Sequence, residues 1–577
     1  MAVRTHVLAR SAVISAAWSA GLATVVVGPM MGKGWVVLLD WAIGPRISFT
    51  DRLFAGDSLP AGPVFFGTAA LLHGFAGAAV GWLMPWIVLF VAGVGAAKLV
   101  SLFTNGVVAS MTAATAYIWN PFVHERLYAG QLAVLLGYAI VPFVGFQAIR
   151  LTHEINVDTE SSEVGGGGGE VGEVVAVAER RGKFRIAVVS LPIMWAVAIA
   201  ASIHYAVLGG FVLFAIAVTA VVTPVSKPGS NRNRRLLAWF ATSLVIAGAL
   251  TFAWLGPIVR KAPPTGNEKT IATFATRPDP QIGLVGGVAL QRGFWRPSPG
   301  EPSSDRGWWW PLCGGALSGS ALLGFVALWR KGAKQIVISA LIIGVVGWSL
   351  GQGGEGVVGP VFRSFTDVPG MRIMREAGKF IALVSLAWCI GLAGFAEMLV
   401  AEIRAKAATS RKWTKRALLV LVSVATALAP ISLTPGLAWG VRGRLAAVRF
   451  PQTWKSIAKE LDSDPKGRII VLPFVGYFDP GFTNHRVVKH LARAYFGSRV
   501  ILSDDAKVEG LPPSPRTVAI AAALRSSDPG PVLARIGIEW IVGAADRPPV
   551  TGNTFERVFV SGDLAIYRNT TFSGERG

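Results

Sequence analysis

The chain has 577 residues, of which 52% are hydrophobic and only 15% are charged, and its net charge is +22. Soluble domains carry about 25% charged residues, so this composition excludes a soluble protein of several domains and requires a lipid bilayer. The positive charge does not indicate nucleic-acid binding, because the basic residues lie in short loops beside apolar segments, where they meet the headgroups of membrane lipids.

Apolar segments recur along the first three quarters of the chain. A membrane span needs roughly 20 apolar residues, and eleven segments come close to that: 11–29, 83–104, 106–119 (a short one), 131–149, 186–204, 205–223, 236–258, 311–329, 335–350, 380–401 and 417–435. Segment 62–82 is also apolar, but glycines and His73 interrupt it, so it either lies in the membrane interface or is re-entrant. Segment 186–223 could instead be one long span with a fragment.

Basic residues cluster in every second gap between these segments. Such clusters mark the cytoplasmic side of a membrane protein, which predicts a cytoplasmic N-terminus and an outward-facing end of the last span. The clusters comprise Arg4 and Arg10; Arg150, Arg180, Arg181, Lys183 and Arg185; Lys227, Arg232, Arg234 and Arg235; Arg330, Lys331 and Lys334; and Arg404, Lys406, Arg411, Lys412, Lys415 and Arg416.

The fold class predicted from these patterns is a polytopic α-helical membrane protein with a C-terminal extracytoplasmic α/β domain. The membrane domain covers 1–436 and has a cytoplasmic glycine-rich loop at 150–185, which we interpret as a flexible linker. Its long external loops are 30–82, 259–310 and 351–379. The α/β domain covers 437–577, with helices predicted at 451–461, 484–496 and 515–526, strands starting at 468 and following a helix in 532–542, and a closing hairpin around 561–563.

The first external loop carries a carboxylate, Asp40, just beyond the first span. An isolated acid at the membrane boundary is often an ordinary interfacial residue. Asp40 becomes a functional candidate because basic residues of two other external loops can converge near it. A carboxylate in such a place can serve as a general base.

The second external loop reads NPFVHERLYAGQ over residues 120–131. Pro121 prevents the preceding helix from continuing through it, because it lacks an N–H and restricts the residue before it. The loop therefore holds several polar groups at the membrane surface: Asn120, His124, Glu125, Arg126 and Gln131. A guanidinium group there suits phosphate recognition. The alternative is a Glu125–Arg126 pair that caps a helical hairpin.

The third external loop carries Arg372, Arg375 and Lys379, whose helical spacing predicts that they share one face. They lie on the side of the membrane where basic residues are normally rare, and a polyanionic lipid headgroup is the plainest reason for them. The alternative is a basic edge whose long side chains reach towards water.

Together these loops predict a site for group transfer from a lipid phosphate. Asp40 would deprotonate an acceptor hydroxyl. Arg126, Arg375 and Lys379 would stabilise the departing phosphate, with Arg372 and His124 nearby and Glu125, Asn120 and Gln131 in support. The apolar spans would hold the lipid tail.

The layout resembles the GT-C glycosyltransferases, and the strings NPFVHERLYAGQ, REAGKF (375–380) and LAIYRN (564–569) resemble YfhO-like bacterial membrane proteins of that superfamily. The resemblance implies a polyprenyl-phosphate-linked sugar as donor, an envelope glycan or lipid as acceptor, inversion of the anomeric centre and a bacterial plasma-membrane location. It places Asp40 as the catalytic acid of the first loop. The family's usual pair of acids is replaced by Asp40 alone, with Asp51 and Asp57 further along, which leaves a divalent metal ion open as the cofactor.

Two other classes of function remain. A transporter or flippase for an envelope lipid or glycan would place ionisable groups near the middle of the bilayer and often has inverted repeats, whereas the predicted spans hold few such groups. A non-catalytic scaffold of envelope assembly would use the α/β domain to bind a glycan or a protein. Substitution of Asp40 distinguishes both from an enzyme.

Overall fold

The computed structural model describes residues 2–49, 62–164, 171–223, 232–259, 268–297, 307–406, 412–509, 511–546 and 554–573. Helices dominate up to residue 428. They are α1 (Ala2–Val27), α2 (Pro63–Ala76), α3 (Val80–Val100), α4 (Val107–Ile118), α5 (Pro121–Tyr128), α6 (Leu132–Val164), α7 (Val171–Ala201), α8 (His204–Val222), α9 (Arg232–Val259), α10 (Glu268–Thr273), α11 (Gly283–Ala289), α12 (Trp309–Arg330), α13 (Lys334–Gly351), α14 (Gly359–Asp367), α15 (Ile381–Lys406) and α16 (Lys412–Leu428).

Within the described ranges, nine helical segments are long and apolar enough to cross a membrane. Two shorter apolar helices, Val107–Ile118 and Ile186–Ala201, correspond to two further predicted spans. All eleven predicted segments are therefore helical, and α4, with 12 residues, is shorter than a full span. Segment 62–82 is helical, but a 3₁₀ turn at Gly77–Ala79, where Gly77 has φ +54°, separates α2 from α3, so an interfacial or re-entrant position of α2 stays a prediction.

The predicted linker at 150–185 is helical over most of its length. Helix α6 extends to Val164 and α7 begins at Val171, because outside the glycine run this segment is rich in residues that favour helix. The glycine run itself, 165–169, lies outside the described residues, as do Asp51 and Asp57.

The C-terminal region contains a five-stranded mixed sheet. Its strands are β1 (Arg468–Val471), β4 (Val500–Ile501), β5 (Ile538–Ala544), β6 (Phe555–Ser561) and β7 (Leu564–Asn569), in the order β4-β1-β5-β7-β6. The β4, β1 and β5 strands are parallel, whereas β7 is antiparallel to both of its neighbours. The predicted hairpin and the predicted helix-to-strand segment are confirmed. A separate antiparallel pair, β2 (Tyr477–Phe478) and β3 (Val488–Lys489), lies beside this sheet.

Helices cover both faces of the sheet. They are α17 (Gln452–Ser463), α18 (Ala492–Phe496), α19 (Pro515–Ala523) and α20 (Gly530–Arg535). Alternate strand residues point to opposite faces: Ile469 packs in one apolar core with Trp454 of α17, and Ile470 packs in the other with Ile520 of α19. The helix predicted at 484–496 is wrong in its first half, because that half contains a turn and the short strand β3, and only Ala492–Phe496 is helical.

The loop after α1 joins the two parts of the molecule. Val37 and Ala42 pack in the core of the C-terminal region, whereas Leu38 and Trp41 pack in the core of the membrane helices. The backbone of Trp35 exchanges two hydrogen bonds, of 2.8 and 2.9 Å, with that of Val448. The loop is therefore held from both sides, and Asp40 lies in its middle.

Candidate functional site

The backbone fixes Asp40 at the end of helix α5. The Asp40 N–H donates a 2.9 Å hydrogen bond to the carbonyl of Ala129. The next residue, Gly130, has φ +69° and lies so close to the loop that a Cβ atom there would be 2.7 Å from the Trp41 nitrogen. Only glycine can adopt this positive φ and leave room for Trp41 without strain. Gly130 therefore allows the second loop to pack directly against the first.

The Asp40 carboxylate is half-buried and accepts a 2.8 Å hydrogen bond from the Tyr477 hydroxyl. Burial raises the pKa of Asp40, and the hydrogen bond from Tyr477, the charges of Lys489 and Arg296 and a hydrogen bond from the Gln131 side chain partly offset that rise. A carboxyl group with a raised pKa is a stronger base than an exposed one, so its environment suits proton abstraction.

Gln131 links Asp40 to Arg126. The Gln131 side chain is among the neighbours that lower the pKa of Asp40, and its amide oxygen accepts a 2.7 Å hydrogen bond from Nη1 of Arg126. Arg126 is fully buried, and its guanidinium lies 4.8 Å from the centre of the Phe294 ring and 5.3 Å from that of Phe122. Burial lowers the pKa of Arg126 to about 10, which leaves the side chain charged at neutral pH.

Two donor groups of Arg126 are unused. Nη1 forms a buried ion pair with Glu376, but within the described parts of the chain Nε and Nη2 have no hydrogen-bond partner. A buried guanidinium with idle N–H groups carries a free-energy cost. An anion placed against these two donors would remove that cost through paired hydrogen bonds.

The network continues from Glu376 to two further groups. The other carboxylate oxygen of Glu376 lies 3.0 Å from Nζ of Lys379, and that Nζ lies 2.8 Å from Nε2 of His204. His204 also contacts the hydroxyl of Ser202 at 2.9 Å and the carbonyl of Ile373 at 3.1 Å. Lys379 is thus buried beside α8, and Asp40, Arg126 and Lys379 belong to one connected set of polar side chains.

The third loop does not present its three cations on one helical face. It consists of two 3₁₀ turns, Met371–Met374 and Ala377–Phe380, separated at Arg375 and Glu376. Lys379 points inwards, and Arg375 is half-buried with its guanidinium 5.1 Å from the Phe274 ring centre. Arg372 instead pairs at 3.6 Å with Asp367, away from the network. The predicted shared face is wrong because the break lets adjacent turns point in different directions.

Glu125 and Arg126 contact residues of different loops. Glu125 accepts hydrogen bonds from the backbone N–H groups of Gly293 (3.3 Å) and Phe294 (3.0 Å), and it lies 3.8 Å from Nε of Arg292. Arg292 in turn forms a buried ion pair with Asp279. Glu125 therefore anchors the segment that places Phe294 over Arg126.

Asn120 and His124 occupy structural positions in α5. The Asn120 side chain accepts a 2.9 Å hydrogen bond from the Val123 N–H and so caps the helix. His124 is completely buried, and neither ring nitrogen has a partner among the described residues. Burial and the charges of Arg292 and Arg442 lower the pKa of His124 to about 4. It is therefore neutral at physiological pH and adds no positive charge for a phosphate.

The sequence reasoning missed Tyr477, Lys489, Glu376, His204 and Arg296. Glu376 was within the REAGKF string, and its position between two cations in sequence was a usable signal for an ion pair. Tyr477 and Lys489 face each other across β2 and β3, and nothing in their local sequence connects them with Asp40.

A divalent metal does not fit the part of the site that is described. In the described ranges, no three His, Cys, Asp or Glu side chains are grouped closely enough to hold a metal ion. The carboxylates nearest to the network, Glu376 and Glu125, face arginine or lysine groups, and such neighbours disfavour a cation.

The comparisons with known proteins agree with this architecture. The sequence model of the N-terminal GT-C domain of alpha-(1->3)-arabinofuranosyltransferase AftD matches residues 311–551, which is less than half of the chain. The chain is similar to the structure of arabinofuranosyltransferase AftD from Mycobacteria, with a TM-score of 0.57 and 14% identity over 98% of this chain. It spans 40% of the AftD chain. No curated protein matches the sequence.

Two further solved structures are less similar. ArnT from Cupriavidus metallidurans bound to undecaprenyl phosphate has a TM-score of 0.45 and 15% identity, covering 98% of this chain and 99% of its own. The oligosaccharyltransferase of Archaeoglobus fulgidus has a TM-score of 0.44 and 12% identity, covering 94% of this chain and 69% of its own. The chain thus has the fold of the arabinofuranosyltransferase AftD, and residues 311–551 match the model of its N-terminal GT-C domain.

Proposed function

We propose that the protein is a glycosyltransferase that moves a sugar from a polyprenyl-phosphate donor to an envelope glycan or lipid acceptor at the outer face of the bacterial plasma membrane. The observation that carries this proposal is the connection of Asp40 through Gln131 to Arg126, whose Nε and Nη2 lack partners among the described residues. The Gln131 side chain thus lies between the proposed base, Asp40, and the guanidinium of Arg126 that would bind the anion.

The two ends of this connection suit the two ends of a displacement at the anomeric carbon. Asp40 accepts the proton of the acceptor hydroxyl, whose oxygen forms the new bond to the anomeric carbon. The bond from that carbon to the phosphate oxygen breaks, and the polyprenyl phosphate leaves with one more negative charge. Arg126, Arg375 and Lys379 stabilise that charge. Because attack and departure occur on opposite sides, the anomeric centre is inverted.

An apolar groove provides a place for the lipid tail. It has a volume of about 680 Å³ and lies between α7, α8 and α9, lined by residues such as Trp195, Leu213 and Phe240. Ala206, also in its lining, follows His204 by two residues on α8, and His204 contacts Lys379. A polyprenyl chain in this groove would therefore present its phosphate to the cation cluster.

The sugar is proposed from the AftD match. AftD is described as an alpha-(1->3)-arabinofuranosyltransferase, so a polyprenyl-phosphate-linked arabinofuranose is the first donor to test. The chain spans only 40% of AftD. The assay therefore tests several envelope glycans and lipids as acceptors of this protein.

Replacement Asp40→Asn tests the chemistry. In nanodiscs, transfer of radiolabelled sugar from the lipid donor should fall by about 10²- to 10⁴-fold, the usual contribution of a general base. Binding of polyprenyl phosphate, measured by native mass spectrometry, should be retained. Asp528→Asn, at an exposed position of the C-terminal region, is the matched control.

Other outcomes identify the competing functions. Transfer that is unchanged in Asp40→Asn would remove Asp40 as the base. A wild-type protein that translocates the lipid across a vesicle membrane but transfers no sugar would be a flippase, and one that does neither would be a scaffold.

A further inference from the structure

A small cavity opens next to Asp40 on the side of the C-terminal region. Its volume is about 160 Å³, and its wall includes Leu39, Tyr128, Phe294, Arg296 and Arg486. Leu39 adjoins Asp40 in sequence, and the charge of Arg296 acts on the Asp40 carboxyl. The cavity and the proposed base are therefore neighbours, and we refer to this cavity as the Arg486 pocket.

Arg486 is held rigidly in the wall of the pocket. Its side chain is 8% exposed, Nε donates a 2.8 Å hydrogen bond to the carbonyl of Thr483, and Nη2 donates one of 3.2 Å to that of Ala446. Nη1 is buried, and in the described portion of the chain it has no partner. Two fixed bonds thus orient a third donor group that is left for a ligand.

The pocket is strongly basic. The guanidinium groups of Arg296, Arg444 and Arg486 all oppose the rise that burial produces in the pKa of the Tyr128 hydroxyl. His485 also lines the pocket, but it is exposed and pairs with Asp479 at 3.2 Å. Of the three arginines, Arg296 and Arg486 line the pocket, and two guanidinium groups in one wall favour a negatively charged ligand.

We propose that the Arg486 pocket binds an anionic group, a carboxylate or a phosphate, on the acceptor saccharide and thereby holds the acceptor hydroxyl at Asp40. This inference rests on the proposed function and specifies its acceptor as an acidic sugar. The rings of Tyr128 and Phe294 supply apolar surface for the sugar face. Pockets for drug-sized ligands have volumes of about 300 Å³ or more, so a pocket of about 160 Å³ admits one charged sugar unit rather than an oligosaccharide.

The position of the pocket separates it from the lipid phosphate. The apolar groove lies between α7, α8 and α9 and begins near His204, whereas the Arg486 pocket is closed by residues 485–487 of the C-terminal region. On the groove side, Arg126 pairs with Glu376, which pairs with Lys379 beside His204. On the pocket side, Leu39 and Arg296 lie in the wall, and the charge of Arg296 acts on Asp40. Donor and acceptor would therefore reach Asp40 from different sides.

Binding of simple probes tests the inference independently of catalysis. Full-length protein in nanodiscs is titrated with glucuronate, glucose 6-phosphate and neutral glucose, and its thermal unfolding is followed. Both anionic sugars should raise the melting temperature, whereas glucose at the same concentration should not. Arg296→Gln and Arg486→Lys should each weaken this binding at least tenfold, and the exposed control Arg525→Gln should leave it unchanged.

Several results would overturn the inference. Equal binding of glucose and the anionic sugars, or anionic binding that survives Arg296→Gln, would show that the pocket does not select charge. Loss of polyprenyl-phosphate binding in Arg296→Gln, seen by native mass spectrometry, would assign the pocket to the donor. If the Arg486→Lys variant does not fold, the binding of anionic sugars by the Arg296→Gln variant alone tests the inference. Asp40→Asn should keep probe binding, so a failure of the catalytic proposal is distinguishable from a failure of this one.

Discussion

Tyr477 donates a 2.8 Å hydrogen bond to the carboxylate of Asp40, although 437 residues separate them in sequence. Burial and the negative charge of Asp40 raise the pKa of the Tyr477 hydroxyl well above its ordinary value, so this group stays protonated and remains a donor. The C-terminal region thus sets both the position and the basicity of the proposed base.

Tyr477→Phe should therefore change the pH dependence of transfer. The hydrogen bond lowers the pKa of Asp40, so its loss raises that pKa and keeps the carboxyl protonated to higher pH. A hydrogen bond to a charged group contributes about 1.5–3 kcal/mol, which corresponds to roughly 1–2 pKa units. The acid limb of kcat/KM should move upwards by about that amount, while activity at high pH is largely kept.

The control for this experiment is Tyr567→Phe, because the Tyr567 hydroxyl donates a 2.8 Å hydrogen bond to the carbonyl of Ala544 inside the same region. If both variants lose activity equally at every pH, the Tyr477 hydroxyl supports only folding.

Glu376→Gln should destabilise the protein. The Glu376 carboxylate lies between Arg126 and Lys379, and all three side chains are more than nine-tenths buried. Removing the anion leaves two buried cations without compensation, which costs about 3–5 kcal/mol in comparable buried pairs. The melting temperature in nanodiscs should drop by several degrees, and added polyprenyl phosphate should restore more of it than in the wild type. Glu402→Gln, which removes an exposed pair with Lys406, should leave the melting temperature unchanged.

Gly378→Ala tests the close packing around Arg126. A Cβ atom at this position would collide with the carbonyl oxygen of Gly293 and lie 3.1 Å from Nη2 of Arg126. The segment that carries Phe294 and Arg296 would have to shift, so transfer should fall at least tenfold, since small displacements at reacting groups reduce rates strongly. Gly315→Ala on α12, where a Cβ meets nothing within 4 Å, should be fully active. Retention of full activity by Gly378→Ala would contradict this packing.

Arg126→Lys should weaken donor binding while keeping the positive charge. A lysine has no planar fork and cannot keep contact with Gln131 and Glu376 while offering two further donors to a phosphate. The KM for the lipid donor should rise about tenfold or more, and kcat should fall as well, because the charge on the phosphate grows during the reaction. Arg330→Lys, at the end of α12, is the control. An unchanged KM would place the phosphate elsewhere.

The sequence predicted the elements that have a clear local pattern and the charged residues that lie beside apolar segments. The apolar segments and the hairpin at β6 and β7 follow from composition and alternation, and Asp40, Arg126 and Lys379 stood out because charged groups beside membrane spans require a reason. The assumption of helical spacing failed at Arg372, because the backbone turns at Arg375 and Glu376 instead of continuing one helix.

The partners of Asp40 could not be predicted, for a physical reason. Tyr477 and Lys489 reach Asp40 only after the C-terminal region folds and docks on the first loop, where Val37 and Ala42 enter its core. Such contacts depend on tertiary packing over hundreds of residues, and no periodicity or propensity of a short window contains them.

The pairing of Trp35 with Val448 has a consequence for the biosynthesis of this protein. The segment around Asp40 is translated before the strands that fix its shape, which follow more than 400 residues later. A nascent chain can insert its helices while its carboxylate still lacks Tyr477. The proposed sugar transfer therefore requires that the C-terminal region has been synthesised and has docked on the first loop.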